Sequence, residues 1–60
     1  MTLQEKMIRY RAKHRITQGE LARRCGVSTQ TINSVENGLQ NPTKLTETKI
    51  LLVVEQEEEE

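Results

Sequence analysis

Apolar residues recur in the first half of the chain at spacings of three and four, the period of helices that bury one face. This period predicts an amphipathic helix from about Thr2 to Lys13. Its inward positions are Leu3, Met7, Tyr10, Arg11 and His14. Thr17 and Glu20 have the spacing of a capping box, so a second helix is predicted to begin at Gln18 and to stop at Gly26. Its apolar face carries Leu21, Ala22 and Cys25.

A third helix is predicted from Ser28, whose hydroxyl suits an N-cap, to Asn37, with Gly38 just past its end. Its buried stripe is Ile32 and Val35, and Glu36 falls on the same side. The outward face carries small polar side chains, namely Thr29, Gln30, Asn33 and Ser34. These two short helices and the turn between them have the form of a helix-turn-helix.

After a loop from Leu39 to Pro42, Pro42 and Thr43 can open a fourth helix. The unbroken apolar run from Ile50 to Val54 is also compatible with a strand, since it is rich in β-branched residues. The charged residues on either side favour a helix, so the prediction is an all-α, compact four-helix domain over residues 1–55. Residues 56–60 are expected to form an acidic, disordered tail.

The charge of the chain is unevenly distributed, although its net charge is zero. Between Met1 and Val54, nine Lys and Arg residues face four Glu residues, a balance of +5, whereas five of the nine Glu residues lie in the last six positions. A basic body is typical of nucleic-acid binders, and many small domains carry such a surplus for solubility alone.

Several classes of function have no basis in the sequence. Cys25 is the one cysteine and His14 the one histidine, so neither a disulfide nor a metal site is expected. There is no acid pair, nucleophile with a nearby base or glycine-rich phosphate loop, which argues against an enzyme, and no cofactor or small-molecule ligand is expected. Because no apolar run is long enough for a bilayer or a signal peptide, we expect a cytoplasmic protein.

The outward face of the third helix has side chains suited to reading DNA. The amides of Gln30 and Asn33 can pair with the N6 and N7 edge of adenine, and Thr29 and Ser34 can bond to bases or contact a thymine methyl group. The alternative is that these residues only keep a short helix soluble.

The segment from Ile16 to Gly38 resembles the lambda-repressor-like helix-turn-helix family, the Cro and repressor type also called the xenobiotic-response-element class. The matching features are Thr17-Gln18, Glu20-Leu21-Ala22, Gly26-Val27-Ser28, Ile32, Glu36-Asn37-Gly38 and Pro42. The resemblance covers roughly Thr2 to Val54. It implies a DNA-binding transcriptional regulator, a repressor of phage or mobile-element type, with residues 28–37 in the major groove.

The resemblance also implies individual roles. Thr29, Gln30, Asn33 and Ser34 would face base edges, while Gln18 would hold a phosphate and brace Gln30. Other phosphate contacts would come from Ser28 and Asn37, and from the basic residues Arg15, Arg24 and Lys44. Arg11 would pair with Glu36 as a structural ion pair that ties the first helix to the third.

The C-terminal part departs from the family pattern. Polar residues at Lys44, Glu47 and Thr48 stand where the family's fourth helix is usually apolar, and no clear fifth helix follows. Surplus apolar residues at Leu45, Leu52 and Val53 suggest a homodimer that reads a pseudo-palindromic operator. Two alternatives stay open: a protein-interaction module with the same fold, and an antitoxin whose C-terminal part binds a toxin.

Overall fold

The fold is described from a computed structural model for residues 2–39 and 41–55. Four helices occupy these residues: α1 spans Leu3–His14, α2 Gln18–Cys25, α3 Thr29–Glu36 and α4 Lys44–Val54. No strand occurs in this part of the chain, which confirms the all-α prediction, and the apolar run near the end of α4 is helical. The predicted acidic tail, residues 56–60, lies outside the described residues.

Each helix begins at a hydroxyl side chain that accepts a hydrogen bond from a backbone N–H group of the first turn. The four N-caps are Thr2, Thr17, Ser28 and Thr43. Such caps satisfy donors that have no partner within the helix. The complete capping box lies at Thr2 and Glu5 rather than at the predicted position. At α2 the Thr17 hydroxyl accepts from Glu20 as expected, but the Glu20 carboxylate bonds to Arg24.

Two helices end in a left-handed residue, at which the chain turns sharply. Gly26 closes α2 with φ 74°, where a glycine has no steric penalty. Arg15 closes α1 with φ 55°, although it carries a full side chain. Because this backbone conformation is unfavourable for residues other than glycine, Arg15 is held there at a cost in stability.

A small apolar core lies between the four helices. Met7, Leu21, Ile32, Ile50 and Val54 are its largest fully buried side chains, and each helix contributes at least one. Tyr10 and Cys25 complete the interior, as predicted from the spacing. α2 packs most extensively on α3, and α4 closes the bundle by packing against both α1 and α2. This arrangement holds α3 by one face only.

Candidate nucleic-acid interface

The outward face of α3 presents polar side chains, and the structure brings the predicted base-reading residues together on it. Thr29, Gln30 and Asn33 are exposed, while Ser34 is half-buried. Ser28 holds the start of the helix, because its hydroxyl accepts the backbone N–H of Thr31 at 3.1 Å. α3 therefore has a capped start and an exposed polar surface about two turns long.

The N-terminus of α2 lies beside the N-terminus of α3. Gly19 in the first turn of α2 approaches Thr29, and a Cβ added at Gly19 would lie 3.7 Å from the Thr29 hydroxyl oxygen. The unpaired N–H groups of two helix starts are thus close to each other. Such groups bind anions, including phosphates. Sequence analysis did not single out Gly19, because only the packing of the two helices shows this closeness.

Behind the polar face, a buried carboxylate ties α3 to α1. Glu36 is only 6% exposed, and its carboxylate accepts two hydrogen bonds from the Arg11 guanidinium, at 2.8 and 2.9 Å. This planar, two-bond geometry is the strongest arrangement for such a pair. The Gln4 amide also donates to the Glu36 carbonyl oxygen. The end of α3 is consequently held to α1 by two groups of Glu36, its side-chain carboxylate and its backbone carbonyl.

A chain of amide hydrogen bonds continues from Glu36 to the surface. Gln18 Nε2 lies 3.0 Å from Glu36 Oε1 and 3.5 Å from Asn33 Oδ1. Asn37 Nδ2 donates to the same Asn33 oxygen at 2.6 Å. In this structure Gln18 therefore braces Asn33, and its expected contact with Gln30 stays a prediction. The cause is the buried Glu36 carboxylate, because a charged carboxylate is a stronger acceptor than an amide oxygen and binds the Gln18 amide near the C-terminal end of α3.

The predicted phosphate-contacting cations lie in different surroundings. Arg15 and Lys44 are exposed, Arg15 in the turn before α2 and Lys44 in the first turn of α4. Arg24 bonds to the Tyr10 hydroxyl at 3.0 Å and to Glu20 at 3.4 Å. The hydrogen bond with Tyr10 raises the pKa of Arg24 above its ordinary value. Arg24 is thus engaged within the domain, and a phosphate contact requires it to leave these partners.

The surface of α4 has two strongly exposed leucines. Leu45 and Leu52 are 67% and 62% exposed. Val53, which was expected to share this apolar surface, is half-buried and packs against the core. The expected exposure of Val53 is wrong, because Val53 follows the buried Ile50 by three residues and so lies near the inward side of the helix. The apolar patch is narrower than predicted.

Among residues 2–39 and 41–55, no group of His, Cys, Asp and Glu side chains is arranged to hold a metal ion. No helix in this part of the chain is long and apolar enough to cross a bilayer. An open groove of about 360 Å³ lies between the start of α1 and the end of α3, and Glu47 is the one charged side chain among the described residues that line it.

Comparison with known proteins gives two matches. A family profile described as helix-turn-helix, of the Cro/C1 type, matches residues 7–51. The chain is also 44% identical over 41 residues to an uncharacterized HTH-type transcriptional regulator, MJ0272, of Methanocaldococcus jannaschii. That match covers 68% of this chain and 62% of the relative, so the chain spans less than two thirds of the relative's length. No solved structure matches the chain.

Proposed function

The chain belongs to the helix-turn-helix family of the Cro/C1 type, and from this premise we propose that it is a sequence-specific DNA-binding transcriptional regulator. The observation that carries the proposal is the outward polar face of α3, which no other part of the described chain covers. The relative's name describes a transcriptional regulator, which supports the same assignment. Repression is the mode we propose, since a domain bound in the groove excludes other proteins from the same site.

In this proposal α3 and its flanking residues, 28–37, lie in the major groove. The groove of B-DNA is about 12 Å wide and admits one α-helix. Gln30 is exposed near the start of α3, where its amide can pair with an adenine edge. Thr29 and Ser34 flank it with hydroxyl groups. The structural role of the Glu36 network is to keep this face at a constant angle to α2.

The phosphate contacts would come from the helix starts and the exposed cations. Ser28 and the backbone N–H of Gln18 lie at the starts of α3 and α2, where the helix N-termini favour anions. Asn37 caps the C-terminal end of α3, so its phosphate contact is proposed through its own side chain and backbone. Both side-chain protons of Gln18 are directed at protein acceptors, so its phosphate contact is proposed through the backbone. Arg15 and Lys44 add exposed positive charge, each lowering the salt slope by about 0.9.

We also propose that two copies bind together on a pseudo-palindromic site. Leu45 and Leu52 give α4 an apolar surface on the outside of the domain, and a second copy would cover both. The two recognition helices would then read half-sites about 34 Å apart. Sedimentation of the wild type and of Leu52→Glu tests this: a wild type that stays monomeric at high micromolar concentration contradicts the dimer.

The first experiment is selection of bound sequences from a random duplex library at about 100 mM salt, with the wild type and with Gln30→Ala. The expected result is an enriched palindrome that relaxes in the variant at one position of each half-site. The expected loss at that position is about 1–3 kcal/mol. Circular dichroism of both proteins controls for folding. A folded wild type that enriches no sequence contradicts the proposal.

A protein-interaction module is the second candidate, and the exposed leucines favour it. Leu39, Leu45 and Leu52 are all more than half exposed. In this alternative they would bind another protein, such as a toxin partner, while α3 has no role in reading bases. Retention of DNA binding by Leu45→Glu together with Leu52→Glu would separate an apolar protein-binding surface from the DNA-binding one.

A further inference from the structure

The buried Glu36 carboxylate determines the direction of the hydrogen bonds that Arg11 and Gln18 make to it. An ionised carboxylate only accepts, and its oxygens receive Arg11 Nε at 2.8 Å, Arg11 Nη2 at 2.9 Å and Gln18 Nε2 at 3.0 Å. The Gln18 amide therefore has one allowed orientation, with its NH₂ group toward Glu36. The reverse orientation would place an amide oxygen against a carboxylate oxygen.

This orientation extends to the surface through Asn33. The second proton of Gln18 Nε2 is directed at Asn33 Oδ1, 3.5 Å away, and Asn37 Nδ2 donates to the same oxygen at 2.6 Å. If the Asn33 amide were reversed, its NH₂ group would face the NH₂ group of Gln18, even if the exposed Asn37 amide turned to accept from it. Both lone pairs of Asn33 Oδ1 are consequently used inside the protein.

From this geometry we infer that Asn33 reads DNA as a donor only, through Nδ2, and that Glu36 and Gln18 determine this specificity without contacting a base. The inference rests on the proposed function. It differs from the usual pairing of asparagine with adenine, which needs the amide oxygen and the amide nitrogen at once. Asn33 selects a base edge with acceptors instead: guanine offers two, O6 and N7, thymine offers O4, and adenine offers N7 beside a donor, so that guanine or thymine is preferred to adenine, and cytosine is rejected on the strand that Asn33 faces.

The experiment combines the same library selection with substitutions that change the hydrogen-bonding character of position 33. Asn33→Ala locates the position, since the base preference there should relax by roughly 5- to 100-fold. Asn33→Asp is nearly isosteric and can still accept from Gln18 and Asn37, but it presents an acceptor to the groove. The preference at that position is expected to change from guanine or thymine to cytosine or adenine, whose amino groups donate. The ratio among bases is compared, because the added charge weakens binding to all sequences.

Gln18→Met removes the donor that orients Asn33 while keeping a side chain of similar length. One lone pair of Asn33 Oδ1 is then free, and the Asn33 and Asn37 amides can turn together, so that Asn33 can pair with adenine through both atoms of its amide. Adenine is expected to gain at its position by about tenfold. The preference attributed to Gln30 serves as the internal control, because Gln18 has no hydrogen bond with Gln30 in this structure and that preference should stay unchanged. Thermal unfolding of each variant verifies that the domain is intact.

A measurement on the free protein tests the network without DNA. Through-bond ¹⁵N–¹³C couplings are expected from Gln18 Nε2 to the Glu36 carboxylate and from Asn37 Nδ2 to the Asn33 side-chain carbonyl. If the folded protein lacks these couplings, the inference fails. If sequences are enriched and Gln30→Ala relaxes one position, but Asn33→Asp leaves the base order unchanged, only the inference about Asn33 fails. If no sequence is enriched by the folded wild type, the proposed function fails and the inference with it.

Discussion

At the scale of single residues, the strained conformation of Arg15 contrasts with the relaxed one of Gly26. Both residues end a helix with positive φ, at 55° and 74°. Glycine takes this conformation without penalty, whereas arginine does not. Arg15 is an exposed cation at a position suited to glycine, so we propose that its charge has a role. The proposed phosphate contact provides such a role.

Replacing Arg15 by glycine should therefore separate stability from binding. Arg15→Gly is expected to raise the free energy of unfolding by about 1 kcal/mol, because it relieves the left-handed strain. The same variant should bind DNA more weakly, with a smaller dependence of affinity on salt. Urea unfolding and anisotropy titrations measure the two effects. Arg15→Lys is the matched control, since it keeps both the charge and the strain; equal DNA affinity for Arg15→Gly and the wild type would contradict the phosphate contact.

Cys25 gives a second prediction at this scale. Its side chain is 5% exposed, and burial raises the pKa of the thiol. A raised pKa in the folded state means that the neutral thiol contributes its stability below the unfolded thiol pKa of about 8.5 and loses it as pH rises. Alkylation by iodoacetamide at pH 8 is expected to be much slower in the native protein than in urea. Equal rates in the two states would contradict the burial of Cys25 in the core.

At the scale of elements, the sequence predicts helices well where a hydroxyl cap and a three-four apolar period coincide. α2 and α3 begin as predicted, whereas α1 begins and ends one residue later than predicted. The apolar run in α4 was ambiguous, because local propensity does not distinguish a strand from a helix that buries residues on several sides. Packing decides this question: Ile50 and Val54 are buried four residues apart, while Leu52 between them is exposed. That pattern exists only in a helix.

The candidate site was less predictable than the helices. The pairing of Arg11 with Glu36 was taken from a family resemblance, and both residues form that ion pair in the structure. The partners of Gln18 in the structure, Asn33 and Glu36, differ from the predicted Gln30, because the sequence does not reveal that the buried Glu36 carboxylate lies within hydrogen-bonding distance of Gln18. Hydrogen-bond partners between helices depend on distances of a few tenths of an ångström, which no residue spacing encodes.

The ion pair between α1 and α3 leads to a prediction for these elements. Arg11→Ala leaves the Glu36 carboxylate buried without its main partner, and a loss of about 3 kcal/mol in unfolding free energy is expected. Arg11→Met combined with Glu36→Leu should recover most of it, because apolar residues remove the cost of burying charge. Urea unfolding of Arg11→Met, of Glu36→Leu and of the double variant measures the coupling energy between the two side chains. If the losses of the two single variants add up in the double variant, a direct interaction is contradicted. Glu20→Gln is the control, because it removes the exposed ion pair between Glu20 and Arg24 and should change the free energy of unfolding by less than about 0.5 kcal/mol.

At the scale of the whole molecule, charge is divided between a basic body and an acidic end. The residues from Met1 to Val54 carry a balance of +5, and Glu57 to Glu60 add four negative charges. A polyanionic segment competes with DNA for the same basic surface. The strength of this competition depends on ionic strength, because screening shortens the range of charge interactions.

Removing residues 56–60 is therefore expected to leave DNA affinity unchanged or to strengthen it, with the larger gain at about 50 mM salt and little effect at about 200 mM. Anisotropy titrations at the two salt concentrations measure the difference. Replacement of the four glutamates by glutamine is the control, since it removes the charge and keeps the length. A loss of DNA affinity in both variants would indicate that the acidic end contributes to binding.

The shortness of α3 has a thermodynamic consequence for the whole molecule. Helices shorter than about 12–15 residues are marginal alone in water, and α3 has eight residues. The proposed DNA-reading surface thus exists only while the domain is folded, and an operator would bind the folded state alone. At a DNA concentration 100 times the dissociation constant, linkage adds about 2.7 kcal/mol to the stability of the domain. An operator would then stabilise the folded domain to a degree that rises with its affinity. The melting temperature of the protein, measured with different duplexes, would therefore report its DNA sequence preference.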